Sequence, residues 1–251
     1  MRRIKRRTFS GSVCEQEVFS VADNRKDLRE AEPLERFKTE EDRAKHREGI
    51  SRRHHERLFN ATFSPLSLYS TLTMDNEHEV HTFTEARRIR DNYARRLKYA
   101  FPDAQIMLYM GRGKSTDRIH FHMVSNGVPE EIIRAKWQAR SVDRIVNLRK
   151  NCRYKDENGV LVDHGQDYKG LANYLFDHWT PEQGGHRWKQ TRNVCRPARE
   201  APTVVKREYS ESKPPRAPKG YKLVETKGTA FGYFWYKYVK VLDEKRKTKK
   251  R

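Results

Sequence analysis

Between residues 61 and 200 the spacing of apolar positions switches repeatedly between two and about four, and this switching sets out an order of elements. Leu68-Tyr69-Ser70-Thr71-Leu72-Thr73-Met74 alternates small polar or aromatic residues with apolar ones and predicts a first strand. From Thr84 to Phe101 the residues favour helix, with Ile89, Tyr93, Leu97 and Phe101 at four-residue steps, and Pro102 closes the run. Ala104 to Met110 reads as a strand, Gly111 to Asp117 as a polar glycine-bearing turn, and Arg118 to Val124 as the second arm of a hairpin ending at Asn126-Gly127. A helix over Glu130 to Gln138 after Pro129, a short strand over Arg144 to Leu148 and a helix over Gly165 to Trp179 complete the series. Such an order implies an α+β fold, a central antiparallel sheet of about five strands with helices packed on it.

The flanks read differently. Residues 1–60 are charge-dense, and Glu35 to Arg57 favours helix with only Phe37 and Ile50 as large apolar residues, so a basic, largely helical or flexible extension is predicted. After residue 200, Pro202, Pro214, Pro215 and Pro218 mark a linker. Phe231 to Tyr238 reads as one late strand before the basic run Lys245 to Arg251. The expected division is therefore 1–60, 61–200 and 201–251, with no internal repeat.

Charge narrows the partner. With 54 Lys and Arg against 34 Asp and Glu, the net charge of +20 suits a protein that meets a polyanion, nucleic acid first. A membrane partner is not expected, because the chain has no lipidation signal and no apolar run approaching the roughly 18 residues of a spanning helix. Cys14, Cys152 and Cys195 form no Cys-x-x-Cys pair, and the amino terminus lacks the apolar core of a secretory signal, so a reducing cytoplasm is the expected compartment.

Candidate chemistry centres on His120-Phe121-His122. On a strand the two imidazoles project from one face while Ile119, Phe121 and Met123 enter a core, and two neutral imidazoles on one face can grip a divalent ion. Chance alone gives about 0.4 His-x-His pairs for ten histidines in 251 positions, so the weight rests on context. Context is supplied by Tyr174 on the helix Gly170-Leu171-Ala172-Asn173-Tyr174-Leu175, a phenol able to act as a nucleophile on a metal-polarised phosphodiester. Tyr168, six residues earlier, is the alternative nucleophile. The rival readings are a non-catalytic basic nucleic-acid binder and a metal-dependent phosphodiesterase that uses water.

The succession of Thr71-Leu72-Thr73, His120-Phe121-His122, the Tyr174 helix and Gly184-Gly185-His186-Arg187-Trp188-Lys189-Gln190-Thr191-Arg192-Asn193 resembles the HUH endonucleases, in particular the single-tyrosine rolling-circle replication initiators of phages and plasmids. The resemblance covers about residues 61 to 200. It implies Mn2+ or Mg2+ as the working ion and a tyrosine that nicks single-stranded origin DNA, leaving a 5′-phosphotyrosine and a free 3′-hydroxyl for rolling-circle replication. Arg187, Trp188, Lys189 and Arg192, with Arg112, Lys114 and Arg118 about the hairpin turn, are then expected to contact DNA by phosphate pairing and base stacking.

The chain departs from the family pattern in two places. Tyr174 is followed by Leu175-Phe176-Asp177-His178, without the usual Tyr-x-x-Lys lysine, and Tyr109-Met110-Gly111-Arg112 offers no acidic third ligand. His178, four residues after Tyr174 on the same helical face, is the expected substitute ligand beside His120 and His122, with Asp177, then Glu79, His78 and His81, as alternatives. No Gly-x-x-x-x-Gly-Lys-Ser/Thr loop is present, so strand separation is assigned to a host helicase working with a host DNA polymerase.

Overall fold

The computed structural model describes residues 2–21, 39–113, 116–138, 140–229 and 232–241. Along the chain these form β1 (Arg2–Ser10), β2 (Val13–Val21), α1 (Glu40–Thr62), β3 (Leu68–Met74), α2 (Phe83–Ala100), β4 (Gln105–Arg112), β5 (Ile119–Asn126), α3 (Glu130–Lys136), β6 (Arg140–Asn147), β7 (Cys152–Lys155), β8 (Leu161–Gly165), α4 (Lys169–Phe176), β9 (Lys189–Gln190), β10 (Ala198–Arg199), β11 (Thr203–Val204), β12 (Tyr221–Gly228) and β13 (Phe234–Lys240). The fold is α+β with antiparallel sheets, as the sequence pattern predicts. It divides into two compact units, residues 1–54, 151–167 and 197–251 in the first and residues 55–150 and 168–196 in the second. Three consecutive segments were expected instead. The first unit gathers its strands from both ends of the chain and the middle, which no local pattern can announce.

The second unit is a five-stranded sheet in the order β6-β3-β5-β4-β9. Strand β5 lies between β3 and β4, pairing antiparallel with each. One sheet face carries Leu72, Ile106, Leu108, Met110, Ile119, Phe121 and Met123, all buried, and α2 and α3 cover it with Tyr93, Leu97, Ile133 and Trp137. Aromatic polar atoms in this core find backbone partners: Tyr93 donates to the Ile133 carbonyl at 3.0 Å and Trp137 Nε1 to the Thr73 carbonyl at 2.7 Å. Helix α2 starts where the Thr82 hydroxyl accepts from the Glu85 amide.

The opposite face is covered by the end of α1 and by α4. There Phe59, Tyr109 and Phe176 are buried around His55, whose Nε2 lies 2.8 Å from the Tyr109 hydroxyl. Helices on both faces explain why β4 is buried residue after residue from Ile106 to Gly111 and not alternately.

The first unit corrects two expectations. Residues 1–60 open with a β-hairpin and not with helix or flexible chain; Ser10 pairs with Val13 across Gly11-Ser12, and Gly11 takes φ 59° for the two-residue turn. The Arg and Lys residues of β1 hide its alternation from a hydrophobicity reading. The late strand, β13, runs over Phe234–Lys240 and has a partner, β12, in a stretch read as linker. The sheet order is β10-β1-β2-β13-β12, with β11 also on β1, and Cys14, Val18, Tyr236 and Tyr238 make a core on one face. On the other face Lys237, 1% exposed in its side chain, pairs with fully buried Asp167 at 2.9 Å. Phe37, Phe231 and the run Lys245 to Arg251 lie outside the described residues. Among the described residues no helix is long and apolar enough to cross a membrane.

Candidate active site

The strand β5 places His120 and His122 on the sheet face opposite Phe121, because side chains two apart share a face. His122 is 4% exposed, and its ladder partners are Thr71 on β3 and Tyr109 on β4. The third imidazole comes from His178, just beyond α4. One ring nitrogen from each of His120, His122 and His178 lies within 4.8 Å of the other two.

The position of His178 has a local cause. The helix was expected to continue to Trp179, but it stops at Phe176, because His178 Nδ1 takes the Tyr174 carbonyl at 2.8 Å, the acceptor its own amide would use in a longer helix. The His178 amide bonds instead to the Leu175 carbonyl at 3.4 Å. This turns the ring toward the sheet and against Tyr174, with ring centroids 4.3 Å apart. Tyr174 is 50% exposed, and its ring lies 5.7 Å from that of His122.

The hydrogen positions follow from the acceptors. A carbonyl only accepts, so His178 Nδ1 carries a hydrogen, and a neutral His178 then offers its Nε2 lone pair to His122 Nε2–H at 3.1 Å. His122 Nδ1 is left to accept the Tyr69 hydroxyl at 2.8 Å. Were His122 Nε2 to ligate a metal, that hydrogen would move to Nδ1, where Tyr69 Oη could accept it; Thr71 Oγ1 stands 3.4 Å from both. Burial, then the charges of His178 and His120, push the His122 pKa down to about 3. His120 is also held below the usual imidazole value, chiefly by burial, while the Arg118 backbone opposes the shift. Both rings are therefore neutral at pH 7, the form that ligates.

The donor set fits a divalent ion. Two nitrogens each about 2.1 Å from one ion lie roughly 3–4 Å apart, and the His122 and His178 Nε2 atoms are separated by 3.1 Å. In front of the imidazoles opens a groove of about 840 Å³ lined by Tyr69, Thr71, Asp143, Arg144, Arg118 and Tyr174 among others.

The other expected residues fall in different places. Tyr168 is 2% exposed and packs edge-on against Phe59, so its phenol does not face a strand in the groove. Glu79 pairs with Arg118 at 3.1 Å and His78 with Asp75 at 2.5 Å; neither these two nor His81 or Asp177 joins the imidazole cluster. Arg118 lines the groove, whereas Arg112 is paired with Asp117 at 2.9 Å. Arg187 lies over the rings of Phe176 and Trp179 at 4.2 and 4.5 Å, and Trp188 sits 4.6 Å from the His55 ring. Lys189 stands 3.9 Å from Asp91, and Arg192 is exposed. Lys114 is outside the described residues.

Tyr69, Arg144 and Gly111 are site residues that sequence reading did not single out, and Thr71 entered only as part of the Thr71-Leu72-Thr73 motif, with no role at the imidazoles. A signal was present for Tyr69, which shares one face of the predicted first strand with Thr71. Comparisons of this chain with family models, with curated proteins and with solved structures return no match.

Proposed function

We propose that this chain nicks single-stranded origin DNA by attack of the Tyr174 hydroxyl on a phosphodiester and so initiates rolling-circle replication. The observation that carries this reading is the half-exposed Tyr174 phenol packed against two, His122 and His178, of three converging imidazoles at the mouth of a groove. A divalent ion held by His120, His122 and His178, with Mn2+ favoured over Mg2+ by an all-imidazole set, supplies charge withdrawal from a non-bridging phosphate oxygen.

The protein's own groups do the rest. Tyr174 Oη forms a bond to phosphorus as the bond from phosphorus to the 3′ oxygen breaks, the phenol proton passing to solvent and the 3′ oxygen taking one up. The products are a 5′-phosphotyrosine and a 3′-hydroxyl, and no water is consumed. Because the new ester replaces an old one, the step is reversible and suits later strand rejoining. Arg118 and Arg144 along the groove offer charge to the strand's phosphates, the role for which a lysine after the tyrosine is missing here. No disulfide joins the three cysteines among the described residues, which suits a reducing cytoplasm, where a host helicase and a host DNA polymerase would extend the new 3′ end.

The test is incubation of the protein with Mn2+ and a pool of random single-stranded oligonucleotides, followed by a denaturing gel. A covalent adduct is expected, absent with chelator and with Tyr174→Phe. Cleavage without an adduct overturns the tyrosine step in favour of water, and an adduct that survives Tyr174→Phe assigns the nucleophile elsewhere.

A further inference from the structure

The first unit holds a second charged concavity that the nicking chemistry does not use. Alternation along β1 places Arg3, Lys5 and Arg7 on one face of the sheet. The segment from Val205 to Ala217 packs over the aromatic part of that face, with Tyr209 in contact with its core. It is held there by backbone acceptors: the Ser210 carbonyl takes the Tyr236 hydroxyl at 2.9 Å, the Pro215 carbonyl takes the Tyr238 hydroxyl at 2.6 Å, and the Tyr209 carbonyl takes Arg3 at 3.4 Å. A proline-rich stretch without regular structure is thus pinned at three points. Between it and β1 lies a groove of about 700 Å³.

Five cations line this groove, Lys5, Arg7, Arg207, Lys213 and Arg216, against one carboxylate, Glu208. Arg207, Lys213 and Arg216 are exposed and have no ion pair among the described residues. Arg7 reaches Glu200 at 3.6 Å through one terminal nitrogen, while its Nε is buried without a hydrogen-bond partner. Burial first, and then neighbouring Arg7, hold Lys5 below the usual lysine value, with Glu200 opposing the shift. Packing cations around a concavity costs free energy through mutual repulsion, and a bound polyanion removes that cost.

We propose that this groove is a second nucleic-acid site, which holds a phosphodiester backbone independently of sequence and of the metal centre. A strand-borne pair two residues apart and a loop held by three hydrogen bonds and bearing three further cations form two banks, between which a chain of phosphates fits better than an isolated anion. Five of the eight lining residues are cations, groups that pair with phosphates, so the contacts are expected to position and not to specify. The site would retain DNA on the protein through rounds of cutting and release. The inference stands apart from the nicking reaction, because it concerns binding with no metal present.

The experiment measures binding of a labelled single-stranded oligonucleotide, and separately a labelled duplex, to the full chain in excess chelator across a salt series. The triple variant Arg207→Gln, Lys213→Gln, Arg216→Gln should bind about tenfold more weakly or worse, with the slope of log affinity against log salt smaller by about 3. The charge-matched variant Arg153→Gln, Lys155→Gln, Lys219→Gln, from the same unit but outside the groove, should keep most of the affinity. Equal losses in both variants would mean that net charge alone attracts DNA and would overturn the site. Whichever labelled DNA shows the larger loss identifies the form the groove holds. Lysine acylation of the unmodified protein supplies a readout that needs no variant: DNA should shield Lys5 and Lys213 more than Lys155 and Lys219, and uniform shielding overturns the proposal. Capture on anionic lipid vesicles that the triple variant loses, with DNA binding unchanged, would reassign the groove to a membrane surface.

Discussion

Gly111 stands directly opposite His120 in the β4–β5 ladder, and a methyl group on it would lie 3.1 Å from His120 Nε2 and 2.6 Å from His178 Cδ2. The absent side chain is the space in which the third imidazole sits. Gly111→Ala should therefore displace His178 and lower Mn2+ affinity, measured by calorimetry, to the level of His178→Ala. Because both changes remove the same ligand, the double variant should lose little more than either single one. Full additivity of the two losses would show that Gly111 does not act through His178.

The Tyr69 hydroxyl lies 2.8 Å from His122 Nδ1, placed to hold the ring's orientation and, if His122 ligates a metal through Nε2, to accept the Nδ1 hydrogen. Tyr69→Phe keeps the ring and removes only that partner. Metal affinity should fall about 10- to 100-fold, the usual effect of losing an outer partner of a ligating histidine. Unchanged Mn2+ binding by Tyr69→Phe would rule out this positioning role.

The burial of neutral His122 predicts a pH effect on the metal-free protein. Its folded pKa is about 3, whereas an imidazole in the unfolded chain titrates near 6.5. Between these values the unfolded chain binds the extra proton, so the contribution to stability is complete above about pH 6.5. It falls as pH drops, by up to ~1.4 kcal/mol per pH unit for one proton. Urea midpoints at pH 7.5 and 5.5 should differ more for the unmodified protein than for His122→Gln, and equal differences would count against a neutral buried ring.

The buried pair of Lys237 and Asp167 makes a prediction for the first unit. Lys237→Ala leaves the Asp167 carboxylate fully buried near His164, 3.3 Å away. A loss of about 3–5 kcal/mol is expected, because the remaining charge keeps its desolvation cost and loses its main counterion. The neighbouring Trp235, 5.8 Å from Lys237 Nζ, offers a fluorescence signal for that unit during urea unfolding. A loss under about 1 kcal/mol would place the pair among interactions with little net effect.

Local periodicity was enough to order the elements of the second unit. The strand over Leu68 to Met74, the helix closed by Pro102 and the hairpin bearing the histidines all stand near their expected places. Its boundaries moved where a side chain competed with the backbone, as at Phe176, or where a glycine served a ladder and not a turn, as at Gly111. The first unit was poorly legible because β1 carries its alternation in arginines and lysines, and β12 lies within a stretch whose prolines suggested a linker.

Sequence by itself determined the pairing of His120 with His122 on one strand face, since a two-residue period requires it, and the cationic character of the whole chain. It also set Tyr174 and His178 four residues apart, close enough to share a face. Only the tertiary structure decided that the segment carrying them meets that strand, that Gly111 leaves room for the third ring, and that Tyr69 from another strand caps the second. The physical reason is distance along the chain: residues separated by some fifty positions meet through the packing of complete elements, and that packing is not written in any local period.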